Sequence, residues 1–183
     1  MFNFLKVKKE RDKINKNLLL DENGRALFNI SIKDKSEVLS PYFYDEKEVI
    51  NVEFADMLSN VASTVPLKKE IHLSLHCDDI KDEDKQRYSQ AIKNYYENKM
   101  LDAQIRLKNN TNMLLLTIVF AIIALAGLFV VNYFSVPWIL TEVLDIVAWV
   151  FVWEVVDITF FQRTLIRYEY KRAKNLYKSK ISY

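Results

Sequence analysis

The stretch MLLLTIVFAIIALAGLFVV, residues 113–131, decides how the rest of this chain must be arranged. Its 19 residues carry no charge, and Thr117 is the only polar side chain among them. As an α-helix it would be about 28 Å long, close to the roughly 30 Å hydrocarbon core of a bilayer. We therefore expect a first transmembrane helix at residues 113–133.

A second apolar stretch, residues 136–162, predicts a second transmembrane helix. It differs from the first because it carries Glu142, Asp145, Glu154 and Asp157. An acid near the bilayer centre costs roughly 2.5–3.5 kcal/mol, so four acids facing acyl chains are not expected. At about 100° per residue all four fall on one half of the helix. The opposite, apolar half contains Leu140, Leu144, Val147, Phe151, Val155 and Ile158.

The acidic half of this second helix predicts a pore lining. A charged helix face in a membrane needs water, a cation or a basic partner, and the two predicted spans contain no Lys or Arg. Several copies of the chain around a hydrated axis, a tetramer or similar ring, would supply the water. The predicted pore-lining residues are Glu142, Asp145, Glu154, Asp157, Trp149 and Trp153.

Another interpretation of the same acids stays open. The helix starts after a proline, so Glu142 and Asp145 could be interfacial anions near the positive end of the helix dipole. Asp157 could pair with Arg163 or Arg167 of a neighbouring chain. Glu154, further along the helix, is the acid that this interpretation explains least.

Basic residues at the two ends of the chain predict its orientation. The net charge is +4 over residues 1–20 and +6 over residues 163–183, whereas residues 132–137 between the spans hold no Lys or Arg. Because positive segments stay on the cytoplasmic side of a bilayer, we expect both termini in the cytoplasm of a bacterium and the spans in its inner membrane. The opening MFNFLKVKKE lacks the apolar region of a signal peptide.

The remainder of the chain predicts a small α+β cytoplasmic domain at residues 1–82, so the expected fold is this domain followed by an α-helical transmembrane hairpin. Within the domain, Asn23-Gly24 between two apolar runs is typical of a β-hairpin, and alternation over residues 70–76 predicts another strand. Residues 52–62 have helical spacing. Residues 83–112 predict a stalk helix that continues into the membrane, and residues 163–183 predict a basic juxtamembrane tail that contacts lipid phosphates.

The composition gives little support for enzyme chemistry, and we expect neither an enzyme nor a bound cofactor or metal. A single cysteine excludes a disulfide framework, and two glycines are too few for a glycine-rich phosphate loop. His72 and His76 would lie about 13 Å apart on a strand, too far to bind one ion, and we interpret them as exposed strand residues. No nucleophile with an attendant base can be assembled from the sequence.

Two segments of the domain could bind a nucleotide or a single-stranded nucleic acid. Basic side chains could contact phosphates and aromatic rings could stack on bases. Basic ends also meet anionic lipid, and aromatic residues beside a proline also pack in a core, so both roles stay open. The candidate ligand-binding residues are Lys8, Lys9, Arg11, Lys13, Tyr42 and Tyr44.

The layout of a compact cytoplasmic domain before two membrane helices, with WEVVD at residues 153–157 in the second, resembles the small membrane effectors of bacterial anti-phage systems, particularly the Hailong type. In that family the effector is an oligomeric channel whose cytoplasmic crown binds a DNA oligomer and is held closed by it. A partner nucleotidyltransferase makes that oligomer. The resemblance implies an oligonucleotide or nucleotide ligand here, and it carries over no individual residue.

These observations predict an oligomeric membrane effector, a cation-preferring channel gated by ligand binding to its cytoplasmic domain, with a role in anti-phage defence. The alternative is a membrane-anchored scaffold or sensor subunit without its own pore. In that case the acids would pair with basic residues on the helices of another protein.

Overall fold

The structure is a computed structural model that describes residues 18–42, 49–77, 80–134 and 137–183. It divides into two compact units. Unit 1 consists of Met1–Leu101 together with Tyr170–Tyr183, and unit 2 is Asp102–Glu169. In chain order the elements are β1 (Ala26–Ser31), α1 (Lys35–Val38), α2 (Val52–Ser63), β2 (Ile71–His76), α3 (Asp82–Tyr133), α4 (Trp138–Val156), a π-helix (Asp157–Gln162), α5 (Arg163–Tyr177) and β3 (Lys180–Ser182).

Unit 1 contains a three-stranded parallel sheet in the order β1-β2-β3. β1 pairs with β2 over its whole length, from Ala26 beside Ile71 to Ser31 beside His76. A parallel pair needs a long crossover, and the crossover from β2 to β3 contains all of unit 2. Unit 1 is therefore mixed α/β, and its sheet is completed by the last residues of the chain.

The predicted β-hairpin at Asn23-Gly24 is present but short. Gly24 has φ +74°, a conformation that side-chain-bearing residues rarely adopt, so glycine fits this position. An antiparallel bridge joins Leu20 to Ala26, and the Asp21 N–H donates to the Arg25 carbonyl at 3.0 Å while the Leu27 N–H donates to the Leu19 carbonyl at 2.8 Å. The longer partner of β1 is β2, which begins 45 residues further along the chain.

The core of unit 1 lies between one face of the sheet and three helices. Alternation in β2 buries Ile71, Leu73 and Leu75, as the sequence predicted. α2 begins at Asn51, whose side chain accepts a hydrogen bond from the Glu53 N–H, and its apolar face packs on the sheet. The helical core residues are Phe54, Ala55, Leu58 and Ala62 of α2, Tyr88, Ala91, Ile92 and Tyr96 of α3, and Ala173 and Leu176 of α5.

The predicted continuity of the helix from residues 83–112 into the first apolar stretch is confirmed, since α3 runs for 52 residues without interruption and is about 78 Å long. Along its length Tyr88, Ile92, Tyr96 and Ala103 are buried. α3 belongs to both units, because its first 20 residues lie in unit 1 and the rest lie in unit 2.

The segment expected as a basic juxtamembrane tail, residues 163–183, instead forms α5 and β3, and its last 14 residues belong to unit 1. The Arg172 guanidinium donates hydrogen bonds to the carbonyls of Ala62, Ser63 and Val65, at 2.8 Å for Ser63 and 2.5 Å for Val65. These carbonyls lie at or just after the end of α2, where helix geometry leaves carbonyl groups without their usual N–H partners. Arg172 therefore stabilises the C-terminal end of α2 by hydrogen bonds from its guanidinium group.

In unit 2 the second half of α3 contacts the helical segment that follows it. Ala103, Asn110, Thr117 and Ala124 are buried and recur every seven residues, a repeat typical of helices that pack along a shared seam. The rings of Phe120 and Phe151 stack with centroids 5.6 Å apart. On α4, Ala148 is buried, and small residues of this kind permit close helix contact.

The π-helix at Asp157–Gln162 changes which residues of the second segment are buried. Along α4 and into the π-helix, buried or half-buried residues recur at α-helical spacing as far as Ile158. If that spacing continued, residues 162 and 165 would be the next to be buried. Gln162 and Leu165 are exposed instead, whereas Arg163 and Ile166 are half-buried. One extra residue in a π-turn rotates everything after it by about 100°, which accounts for this shift by one position.

Among the described residues, α3 is the one helix that is long and apolar enough to cross a membrane. α4 has 19 residues, enough length for a span, but Glu142, Asp145 and Glu154 all lie within it. The prediction of two apolar spans is thus supported for the first helix only. The acids are the reason that α4, unlike α3, is not apolar enough to qualify as a membrane span, since its other residues are mostly apolar.

Candidate functional site

The four predicted pore acids lie on the face of α4 and the π-helix that is turned away from the contact with α3. The side of α4 in contact is half-buried or buried at Leu144, Ala148, Phe151 and Val155. Glu142, Asp145 and Glu154 are exposed, and Asp157 is half-buried. Of the predicted apolar half, Leu144, Phe151, Val155 and Ile158 are buried or half-buried, whereas Leu140 and Val147 are exposed.

Part of this acidic face forms an open groove with a volume of about 500 Å³. It brings together four of the six predicted pore residues, Trp149, Trp153, Glu154 and Asp157. Ile146 and Val150, which the prediction omitted, complete its walls. Glu142 and Asp145 lie nearer the start of α4 and do not line the groove. We call this surface the tryptophan groove.

The carboxylates of this face have no basic partner among the described residues. No lysine or arginine in those residues lies within 4.0 Å of the carboxylate of Glu142, Asp145, Glu154 or Asp157. Asp157 accepts a hydrogen bond of 2.7 Å from Gln162 Nε2. Gln162 Oε1 in turn accepts one of 3.1 Å from Asn110 Nδ2 on α3, so the position of the Asp157 carboxylate is linked to the helix contact.

The predicted ligand-binding residues are mostly outside the described part of the chain. Lys8, Lys9, Arg11, Lys13 and Tyr44 fall in residues 1–17 and 43–48, so the structure does not place them. Tyr42 is described, and 90% of its surface is exposed, so its ring is free to stack on a ligand.

A second cluster, which sequence reasoning missed, joins Asp21, His72 and Ser182. The Asp21 carboxylate lies 2.9 Å from His72 Nδ1, and Ser182 Oγ lies 2.9 Å from His72 Nε2. This is the hydrogen-bond order of a Ser-His-Asp triad, although no nucleophile with a base was predicted from the sequence. No local signal could reveal it, because Ser182 is 110 residues from His72. The interpretation of His72 as an exposed residue was wrong, since it is buried.

The geometry of this cluster is suited to a structural role, because the hydrogen bond between His72 and Ser182 holds β3 against β2. Catalysis would also require a substrate cleft and oxyanion donors, and neither of the two described grooves includes His72 or Ser182. Burial opposes ionisation of Asp21, but hydrogen bonds from the Arg25 N–H, His72 and the Asn23 N–H outweigh it and lower the pKa of its carboxyl. The absence of enzyme activity stays a prediction, which labelling of Ser182 by a fluorophosphonate would contradict.

Comparison with known proteins adds no relative on which to base a function. No protein family, characterised protein or solved structure matches this chain. The fold and the groove define a mixed α/β protein with one helix able to span a membrane and an acidic, tryptophan-rich helix face beside it.

Proposed function

We propose that this protein is a homo-oligomeric channel of a bacterial inner membrane that prefers cations and is gated by its cytoplasmic unit. The observation that carries this proposal is the location of the four acids. Glu142, Asp145 and Glu154 are exposed on the side of α4 away from the α3 contact, Asp157 is half-buried, and none of the four has a basic partner in the described residues.

The surface of unit 2 supports a location in the membrane. Large apolar side chains of α3, such as Leu115, Val119, Ile122 and Phe129, are at least half exposed. A surface of this extent is stable in contact with acyl chains and is uncommon on soluble monomers. α4 then crosses the bilayer beside α3 and must turn its acids toward something other than lipid.

Copies of the chain arranged in a tetramer or similar ring satisfy this requirement. Each copy would place its α3 toward lipid and the acidic face of its α4 toward a central path filled with water. Carboxylates repeated around such an axis form rings that concentrate cations. The positive ends of the chain place both termini on the cytoplasmic side.

Gating by the cytoplasmic unit follows from the connections between the elements. α3 leaves unit 1 and α5 returns to it, and the buried side chains Ala173 and Leu176 of α5 share one core with Tyr88 and Tyr96 of α3. A ligand that repacks this core would act on both connections at once. We further propose that this ligand is a nucleotide or oligonucleotide in an anti-phage response, on the basis of the layout described above.

The decisive test is conduction by variants of Glu154 in planar bilayers. Glu154→Gln keeps the side-chain volume but removes one charge per copy, so we expect normal assembly and a lower preference for cations. Glu154→Lys should lower cation conductance further or favour anions. Glu97→Gln, on an exposed position of α3 in unit 1, is the control and should leave selectivity unchanged.

Absence of any current from the wild-type protein, with its ligand removed and added, would reject the channel. If Glu154→Gln assembles normally and its ion selectivity equals that of wild type, Glu154 does not line the path. If the variant fails to assemble, Glu154 is half of a buried ion pair, whose loss costs roughly 3–5 kcal/mol. That last result would favour the scaffold or sensor subunit, in which α4 pairs with the basic helix of another protein.

A further inference from the structure

The tryptophan groove combines exposed indole rings with carboxylates that have no basic partner among the described residues. We propose that it is a binding site for organic cations of the quaternary ammonium class, such as choline or a tetraalkylammonium ion. Binding requires only the groove, whereas its consequence, block of the cation path, rests on the proposed channel function.

The spacing of the two tryptophans fits a compact cation. Trp149 and Trp153 are four residues apart, about 6 Å along the axis of α4 and about 40° around it. Their exposed surface is 56% and 64%, so both rings are open to a ligand. Trp is the best aromatic partner for a cation, which is attracted within about 6 Å of the ring centroid.

The two carboxylates supply the charge that the rings lack. Glu154 and Asp157 are three residues apart and therefore lie on neighbouring turns of one helix face. Two negative groups at such a spacing repel each other, and a bound cation relieves that repulsion. The hydrogen bond of 2.7 Å from Gln162 orients Asp157 and leaves its other oxygen available.

The composition of the groove favours an organic cation over a metal ion. The described residues contain no group of three or more His, Cys, Asp or Glu side chains placed to hold a metal. A quaternary ammonium ion has no N–H to donate, so it binds through ring faces and net charge, and the groove offers both. The volume of about 500 Å³ lies within the roughly 300–1,000 Å³ typical of small-molecule sites.

The intrinsic fluorescence of the tryptophans can report on binding at this site. It has three tryptophans, Trp138, Trp149 and Trp153, and all lie in α4. Trp138 does not line the groove, so Trp138→Phe leaves fluorescence from the groove alone. Choline titrated at constant ionic strength into the detergent-purified full-length protein should give a saturable change in emission. Its uncharged isostere 3,3-dimethyl-1-butanol should give none.

Matched acid variants test the role of charge. In the Trp138→Phe background, Glu154→Gln retains both reporters and should weaken choline binding about tenfold or more. Glu142→Gln removes a charge from the same half of α4 but outside the groove, so the affinity for choline should stay within about twofold.

Two results would overturn the inference. They are an absence of any saturable response and an equal response to the isostere. If potassium currents persist in either case, the binding site is rejected and the channel is retained. If choline binds to a protein that passes no current, the binding site is retained and the channel is rejected.

Discussion

Tyr88 and Tyr96 lie about two turns apart on one face of α3, and both are buried, yet their hydroxyl groups have opposite surroundings. Tyr96 donates a hydrogen bond of 2.9 Å to the Ala55 carbonyl and contacts Ser59 Oγ at 3.2 Å. The hydroxyl of Tyr88 is buried and has no hydrogen-bond partner among the described residues. A buried hydroxyl without a partner costs free energy, whereas a satisfied one stabilises the fold.

This contrast predicts opposite effects of the same substitution. Tyr96→Phe should lower the free energy of unfolding of unit 1 by about 1 kcal/mol. Tyr88→Phe should leave it unchanged or raise it by up to about 1 kcal/mol, because no hydrogen bond is lost. Denaturant unfolding of the purified protein measures both, and equal destabilisation by the two variants would contradict the hydrogen-bond assignment.

Tyr88 also predicts how stability depends on alkaline pH. Burial, with a contribution from the nearby Asp84 carboxylate, raises the pKa of Tyr88 to about 12, from 10.0 in the unfolded chain. The neutral hydroxyl is favoured in the folded state, so its contribution is complete below pH 10 and is lost as pH rises from about 10 to about 12. Unfolding measured between pH 8 and 12 should show this loss. Tyr88→Phe should reduce it, whereas Tyr42→Phe, at an exposed position, should not.

At the scale of elements, the π-helix sets which residues of the segment after it are buried in unit 2. With its extra residue, Arg163 and Ile166 are half-buried, whereas Gln162 and Leu165 are exposed. Without that residue the same positions would be rotated by about 100° relative to α4. The wide turn therefore determines which side of the first residues of α5 is buried.

Deletion of Phe160, an exposed residue of the π-helix, tests the effect of this extra residue. We expect the deletion to expose the half-buried Ile166 side chain and so to lower the free energy of unfolding by about 1 kcal/mol. The same deletion combined with one alanine inserted between Leu165 and Ile166 restores the position of Ile166 and should recover stability. Thermal unfolding compares the two variants with Phe160→Ala. A single deletion that unfolds like wild type would show that the π-turn does not set which residues are buried after it.

At the scale of the whole molecule, the charge distribution predicts one orientation in the membrane. The turn between α3 and α4 should face the periplasm, and unit 1 should face the cytoplasm. In a Cys77→Ser background, Asn132→Cys should react with an impermeant maleimide added to spheroplasts. Lys178→Cys, which is also exposed, should react only after the membrane is permeabilised. The reverse labelling would overturn both the orientation and the cytoplasmic location of the gate.

Properties that depend on neighbours in the chain were determined by the sequence. The continuity of α3, the burial of alternate residues in β2, the helix α2 and the separation of acidic and apolar halves in α4 all follow from periodicity within a single element. Such patterns record which face of an element is buried, so they can be read without knowledge of what covers that face. Four residues of the tryptophan groove were predicted for the same reason.

Features that join distant parts of the chain were decided only by the tertiary structure. The parallel pairing of β1 with β2, the addition of β3, and the contact of Asp21 and Ser182 with His72 bring together residues 45 to 110 positions apart. Nothing in the sequence near Ser182 distinguishes a strand of three residues from the end of a basic tail. Its pairing with β2 follows from the position of α5, whose residues Ala173 and Leu176 belong to the core of unit 1. Local periodicity thus determined the helices and their faces, whereas long-range packing decided the sheet and the position of the C-terminus.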